Sequence, residues 1–403
     1  MRVKNFIFIM FTVGLLFSDV YTESAFSQEK IYDRGRYFAG EIEKTFSVQP
    51  GGKLYIDTEA GDIHIDTGDS AEVYVKVIKR IGVFSEDEAR FAFERTPVYF
   101  DRRGNNIYIK SENNYERRRR SVRINFNITV PKRFDLDLRT SSGDIKIFAI
   151  DGDIDVRTSS GDIEGRNVGG YINARTSSGD VEFIDVSKDV YINTSSGDIK
   201  IGNVTGRVEL ETSSGDIITG RIDGYAELYT SSGDIRVKNV KKRLRARTSS
   251  GDIEVSGSSG SVRLNTSSGD ITVYEVNGKA IASTSSGNVE LENVKGPINA
   301  RTSSGDIYAV MSLKDVNADR SCRLISSSGE ITLGLPSNIN ATIDAKIYVS
   351  EDDWDNYDIY SDFPLKMESR RESRYRRRMV IYGHGVINGG GNNIIIETRG
   401  GDI

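Results

Sequence analysis

The chain has 403 residues, 37% of them apolar and 28% charged, with a formal net charge of −5 and a single cysteine. One cysteine excludes an internal disulfide framework, and so mild a charge names no partner by itself. The apolar fraction is low for a compact globule of this length and fits a thin fold that needs little core.

Residues 1–27 read as a secretory signal. Arg2 and Lys4 supply the positive start, Phe6 to Phe17 the apolar stretch, and Ala25-Phe26-Ser27 a small-x-small cleavage site. That stretch is too short to span a bilayer comfortably, and no later segment is long and apolar enough. The expectation is an exported chain (periplasmic, cell-surface or secreted) with no transmembrane segment in its mature form. No cysteine stands directly after the apolar run, which argues against a lipid anchor.

Residues 28–139 are strand-rich without a fixed period. Val73 to Ile78 alternates as a strand does, His64 alternates with Ile63 and Ile65 and so faces outward, and Thr58-Glu-Ala-Gly-Asp-Ile63 is an isolated motif. Ser85 to Arg95 predicts a short helix, with Ser85 as N-cap and Glu88 three residues on. The segment reads as an irregular N-terminal β cap with one large insertion, since an open terminal coil would be an unpaired sheet edge.

From Thr140 the motif Thr-Ser-Ser-Gly-Asp returns every 18 residues through Thr302, with Asn288 the one departure from Asp. A fixed period of this size marks a solenoid of stacked coils. Counting the Thr as position 1, positions 6, 8, 11, 15 and 17 are apolar in most coils, as in Ile199, Ile201, Val204, Val208 and Leu210. Spacing by two means strands, one over 6/8 and another over 15/17. Gly at position 4, and at position 13 in most coils, precedes each strand where positive φ or close backbone approach is required. No helical periodicity is present, and a disordered Ser/Gly tract would not hold five apolar positions in register. The predicted fold is all-β, a parallel β-solenoid (β-helix) of 18-residue coils over 140–333, between the N-terminal cap and a C-terminal cap of the same solenoid at 334–403. At about 4.8 Å per coil the regular part is a rod about 45–50 Å long.

After Thr302 the next equivalent, Ser326 to Glu330, arrives late, so one coil carries extra residues around Ser312 to Arg320. Residues 334–403 contain an acidic-aromatic run at 351–360, an Arg-rich run, a Gly389-Gly-Gly391 turn and a last strand at Ile394 to Glu397. His384, between Gly383 and Gly385, reads as a turn residue. Thr398-Arg-Gly-Gly-Asp-Ile403 is a relic of the repeat.

The Ser-Gly-Asp-Ile repeats resemble those of a large bacterial family of exported β-strand-repeat domains of unknown function, described as adhesin candidates. Further marks are Val130-Pro131-Lys132 with Phe134 and Leu136, Leu333-Gly-Leu-Pro336, Ser361-Asp-Phe-Pro-Leu365, and Ile387-Asn-Gly-Gly-Gly with the closing Gly401-Asp-Ile403. The resemblance covers nearly the whole mature chain. It implies a role at the cell envelope or surface and supplies no catalytic residues.

Three chemistries are open to these residues. The outward Asp ladder, Asp144 to Asp306, is either a set of turns accepting N–H or Ser hydroxyl bonds locally or a row of calcium ligands. Only one half of each coil bears an acid, which favours the turn reading, so no metal or cofactor is assigned. The Thr is expected inward, leaving mainly position 2, as in Ser141 and Ser159, outward. Two arginine clusters, Arg117, Arg118, Arg119, Arg120 and Arg374, Arg376, Arg377, Arg378, are candidate anion sites, because guanidinium forks match phosphate and carboxylate. In an exported protein their partner is envelope glycan, lipid head groups or a surface protein rather than nucleic acid. Catalysis fits poorly, since unbroken 18-residue spacing leaves no inserted loops to build a cleft and the two histidines lack metal or triad spacing. The sequence therefore predicts a non-enzymatic, adhesin-like binding scaffold at the envelope. The alternatives are an exported polysaccharide-acting enzyme with its site in the cap insertions, and an envelope-stress sensor working through a protein partner.

Overall fold

The computed structural model describes residues 30–115, 122–312, 319–352, 355–373 and 378–403. The predicted signal segment and most of the residues of the two arginine clusters, Arg117 to Arg120 and Arg374 to Arg377, lie outside these residues.

Two long sheets face each other across a thin apolar core. In the regular stretch each coil gives one strand to each sheet. Ile199–Ile201 joins the first sheet and Val208–Glu211 the second, and both pair in parallel with the coils before and after. Register never slips from coil to coil: Ile199 stands opposite Val181 and Ile217, and Val208 opposite Val190 and Ala226. Positions 6, 8, 15 and 17 point inward and are almost wholly buried, which is what their alternation requires. Position 11 adds a third inward row, Val186, Val204 and Ile222, linked by single parallel bridges. Ser258 interrupts that row, and its buried hydroxyl donates to the Val240 and Gly260 carbonyls. The β-solenoid is thus as the period predicts, and apart from one short helix every regular element of the described chain is a strand.

Two ladders of polar groups, with a stack of glycines between them, bind coil to coil. Thr212 is buried; its hydroxyl donates to the carbonyl of Gly197 in the previous coil (3.0 Å) and accepts the N–H of Gly215 in its own (3.2 Å). The same pair of bonds recurs at Thr194, Thr230 and Thr248. Gly197 stacks on Gly179 so closely that a Cβ would fall on the Gly179 carbonyl, which makes close approach, not positive φ, the reason for glycine here. The Asp ladder differs from a local turn. Oδ1 of Asp180 accepts the backbone N–H of Asp198 at 2.8 Å, and Oδ1 of Asp198 accepts that of Asp216 at 2.8 Å. Each carboxylate therefore reaches across to the next coil instead of closing its own turn. An amide oxygen does the same, and Asn288 passes the ladder on to Asp306 at 2.9 Å.

At both ends the spatial order departs from the chain order. Strand Gly52–Ala60 lies between Asn106–Ser111 and Phe134–Ser142, so the isolated Thr58 to Ile63 motif is a coil stacked directly on the regular rod. Asp62 carries the Asp ladder there: its Oδ1 accepts the N–H of Asp144. Strand Asn392–Thr398 likewise lies between Cys322–Ile325 and Ala341–Ser350, parallel to both. The closing Thr398 to Ile403 is thus an interior coil, with Thr398 donating to the Gly329 carbonyl and Asp402 accepting the N–H of Asp358. Beyond it, Arg378–Ile387 and Lys366–Ser373 add antiparallel strands that finish the sheet.

The predicted helix forms at Glu86–Glu94, with Ser85 as N-cap accepting the N–H of Glu88 at 3.2 Å. Among the described residues no helix is long and apolar enough to cross a membrane.

Candidate functional site

An open trough of about 410 Å³ lies on the outward side of the second sheet, at its N-terminal end. It crosses strands Val98–Arg103, Asn106–Ser111, Gly52–Ala60 and Phe134–Ser142. Alternation turns Tyr55, Tyr99 and Tyr108 outward into it, with Asp57, Asp101 and Asp137 and the bases Arg103, Lys110 and Arg139 around them. Parallel register sets Tyr55 beside Tyr108, and their rings stack 4.4 Å apart and 3° from parallel. The Arg103 guanidinium lies over Tyr108 at 4.9 Å, and Lys53 covers Tyr55 at 4.9 Å. Tyr99 remains 52% exposed and is the ring most open to a ligand. Burial and the neighbouring Tyr108 push the Tyr55 phenol above its ordinary range, so it stays protonated and able to donate.

Charges around the trough balance. Arg103 pairs with Asp101 at 2.8 Å, Arg139 with Asp137 at 3.1 Å, and Lys110 with Glu112 at 2.9 Å. With two of the three lining carboxylates paired to a guanidinium, the trough is furnished for hydrogen bonding and aromatic contact more than for proton transfer. Sequence reading missed it because it forms only when residues 52–60 are placed between 106–111 and 134–142. The one available signal was the Tyr-x-Asp and Tyr-x-Lys alternation at 55–57 and 108–110.

Of the predicted anion-site residues, Arg378 is described. It is exposed and begins its strand opposite Ser350. Arg370 and Arg371, from the same Arg-rich run, are engaged: Arg370 stacks over Tyr382 at 4.4 Å and donates to its hydroxyl at 2.7 Å, and Arg371 pairs with Glu351. His384 corrects the turn reading. The flanking glycines lie within strand Arg378–Ile387, where Leu365 packs against Gly385, and His384 points outward to Asp344 at 2.9 Å. His64 faces outward as expected and contacts Asp66 at 2.9 Å.

Among the described residues no group of three or more His, Cys, Asp or Glu side chains could hold a metal ion. Along the Asp ladder one oxygen of each carboxylate is already committed to a backbone N–H, as at Asp180 and Asp198.

Comparison with known proteins gives a family. No curated protein matches the chain. Solved structures that align with the chain include a candidate adhesin from Bacteroides fragilis, 12% identical, with 67% of this chain and 96% of that one covered at a TM-score of 0.25. A candidate cell adhesion protein from Clostridium sporogenes is 12% identical over 90% of this chain and 97% of that one, at 0.18. A candidate lipid-binding protein from Parabacteroides distasonis is 13% identical over 73% and 97%, at 0.20. Likenesses at these scores carry no argument about a site or a ligand. The profile of the family described as Toastrack DUF4097 matches residues 120–184, 166–282 and 260–403, which together span well over half of the sequence. The chain belongs to the Toastrack DUF4097 family.

Proposed function

We propose that the protein is a non-enzymatic, exported binding scaffold at the cell envelope or surface, in which the stacked coils are a rigid spacer and ligands are held on outward side chains. The trough around Tyr99 carries this reading. It offers an exposed ring, a stacked tyrosine pair and paired acids and bases on a rigid sheet, the furnishing of a reversible recognition site. The arginines of the caps, Arg117 to Arg120 and Arg374 to Arg378, are a second proposed point of attachment, to lipid head groups or acidic envelope glycan.

One observation favours a second reading, a polysaccharide-acting enzyme. Asp57, Asp101 and Asp137 converge on the trough, and a pair of carboxylates is the usual equipment for cleaving a glycosidic bond. The arginines on Asp101 and Asp137 weigh against it.

Cell fractionation followed by pull-down of envelope glycans and lipids with the purified protein tests both. Capture that falls about tenfold in the Tyr99→Ala, Tyr108→Ala double variant, with no release of reducing ends from the captured glycan, is the expected result. Reducing ends released by wild type and not by Asp57→Asn would replace the scaffold with the enzyme.

A further inference from the structure

Over most of the rod, outward charges are neutralised where they stand. Arg157 pairs with Asp155, Lys200 with Glu182, Arg221 and Lys241 with Asp223, and Arg236 with Asp234. The pattern stops on the second sheet after Glu227. The next five strands, Leu244–Arg247, Val262–Asn265, Ala280–Ser283, Ile298–Arg301 and Cys322–Ile325, turn Arg243, Arg245, Arg247, Arg263, Arg301 and Arg323 outward, with Lys279 among them. Neither these strands nor the residue before each carries an acid until Glu397 of the C-terminal coil is reached. Arg243 alone of these bases touches a carboxylate, Glu227 at 3.8 Å, among the described residues. Arg247 instead lies over Tyr229 at 5.7 Å and donates to its hydroxyl at 3.1 Å.

Register worsens the imbalance, because Arg245 stands directly opposite Arg263 in the ladder. Two like charges about 4.8 Å apart repel by about 1 kcal/mol even in bulk water. On the first sheet the strand Ile235–Val240 still turns Arg236 and Lys238 outward, but from the next coil on the sign reverses, with Glu254, Glu290 and Glu292 outward and Glu275 paired to Lys295. The rod is therefore polarised across its thickness in this region, and its basic side is a flat ribbon about 20 Å long.

We infer that this ribbon binds a linear acidic polysaccharide, carrying carboxylates at regular intervals, laid along the rod axis. The site rests on the reading of the protein as a binding scaffold and adds to it a ligand class and a further place, on the coils themselves. Repeated guanidinium groups on a rigid lattice match repeated carboxylates, and each contact is a charge-assisted fork. Tyr225 and Tyr229, 47% and 43% exposed, border the ribbon at its N-terminal side, with Arg243 and Arg247 resting over their rings at 5.7 Å each. The ribbon lacks the large apolar side chains that insert into a bilayer: its outward aliphatics, Ile281 and Ile325, are half-buried.

The test is binding of the purified protein to polygalacturonate, to uncharged dextran and to vesicles of anionic phospholipid, each at low and high salt. Wild type should bind polygalacturonate in a salt-sensitive way and should ignore dextran. The Arg245→Ser, Arg263→Ser, Arg323→Ser variant, which changes exposed positions, relieves the Arg245–Arg263 repulsion and should melt no lower than wild type, should bind it about tenfold more weakly. The Arg376→Ser, Arg377→Ser, Arg378→Ser variant should bind it as wild type does. Undiminished binding by the first variant overturns the inference, as does wild type that binds vesicles and not polygalacturonate. If polygalacturonate is ignored while envelope pull-down still captures another glycan, the ribbon site is lost and the scaffold reading survives.

Discussion

Thr212 illustrates how much one side chain supports in a stack of this kind. Its hydroxyl is at once a donor to Gly197 and an acceptor from Gly215, inside a core that water does not reach. Valine has the same shape without the hydroxyl, so Thr212→Val leaves one buried carbonyl and one buried N–H unpaired. Each orphan costs about 1–3 kcal/mol, and Thr212→Ser, which keeps both bonds, should cost far less. A urea titration of the two variants separates them; equal midpoints would show that the ladder adds nothing to stability. The neighbouring Asp ladder follows a different logic. There the working atom is one oxygen facing the next coil, which is why Asn288 can stand in the series and why charge is not what that position requires.

The C-terminal strand Asn392–Thr398 is the element on which one end of the rod depends, because the strands of residues 341–387 are joined to the regular coils through it. Cys322 reports on it. The thiol is buried opposite Ile394, and burial pushes its pKa up to about 12 from 9.0. It therefore stays a protonated, unreactive thiol at neutral pH, and its contribution to stability is complete below about pH 9 and lost as pH rises toward 12. Labelling at pH 8 should be slow and limited by opening of this end. Deleting residues 392–403 should speed it by orders of magnitude while the Thr ladder of the central coils persists. Unchanged labelling would mean that the strand does not hold the end closed. This element also marks the limit of what the sequence discloses. A period of 18 fixes which residues face inward, so the coils from Thr140 to Thr302 are legible residue by residue. It does not say that Asn392 to Ile403 returns to sit between 322–331 on one side and 341–347 with 358–360 on the other, or that 52–68 is placed directly before the coil of Thr140, because such order is set by long-range pairing. The trough around Tyr99 and the basic ribbon were hidden for related reasons. The first needs strands distant in sequence, and the second needs outward positions compared down columns instead of along the chain.

At the scale of the whole molecule the ladders make each coil an equivalent unit that touches only its neighbours, so length is a free parameter and phase is not. Deleting residues 212–229 removes one full period and joins Glu211 to Thr230. The hydroxyl of Thr230 then falls on the Gly197 carbonyl where that of Thr212 was, and the Asp234 N–H falls on Oδ1 of Asp198, since both pairs already repeat at this spacing. The rod shortens by about 4.8 Å and the melting temperature hardly moves, while the strands from Leu244 on keep their order and lose Tyr225, Glu227 and Tyr229 from their border. Deleting 212–228 instead shifts the phase by one residue. Every inward position beyond the junction would meet an outward one, because a one-residue slip exchanges the two faces of a strand. That variant should either fail to fold or fold only as separate blocks on each side of the junction. Small-angle scattering and thermal melts of the two deletions compare phase with length directly. If the in-phase deletion were as damaging as the other, the coils would not be the independent units that their bonding describes.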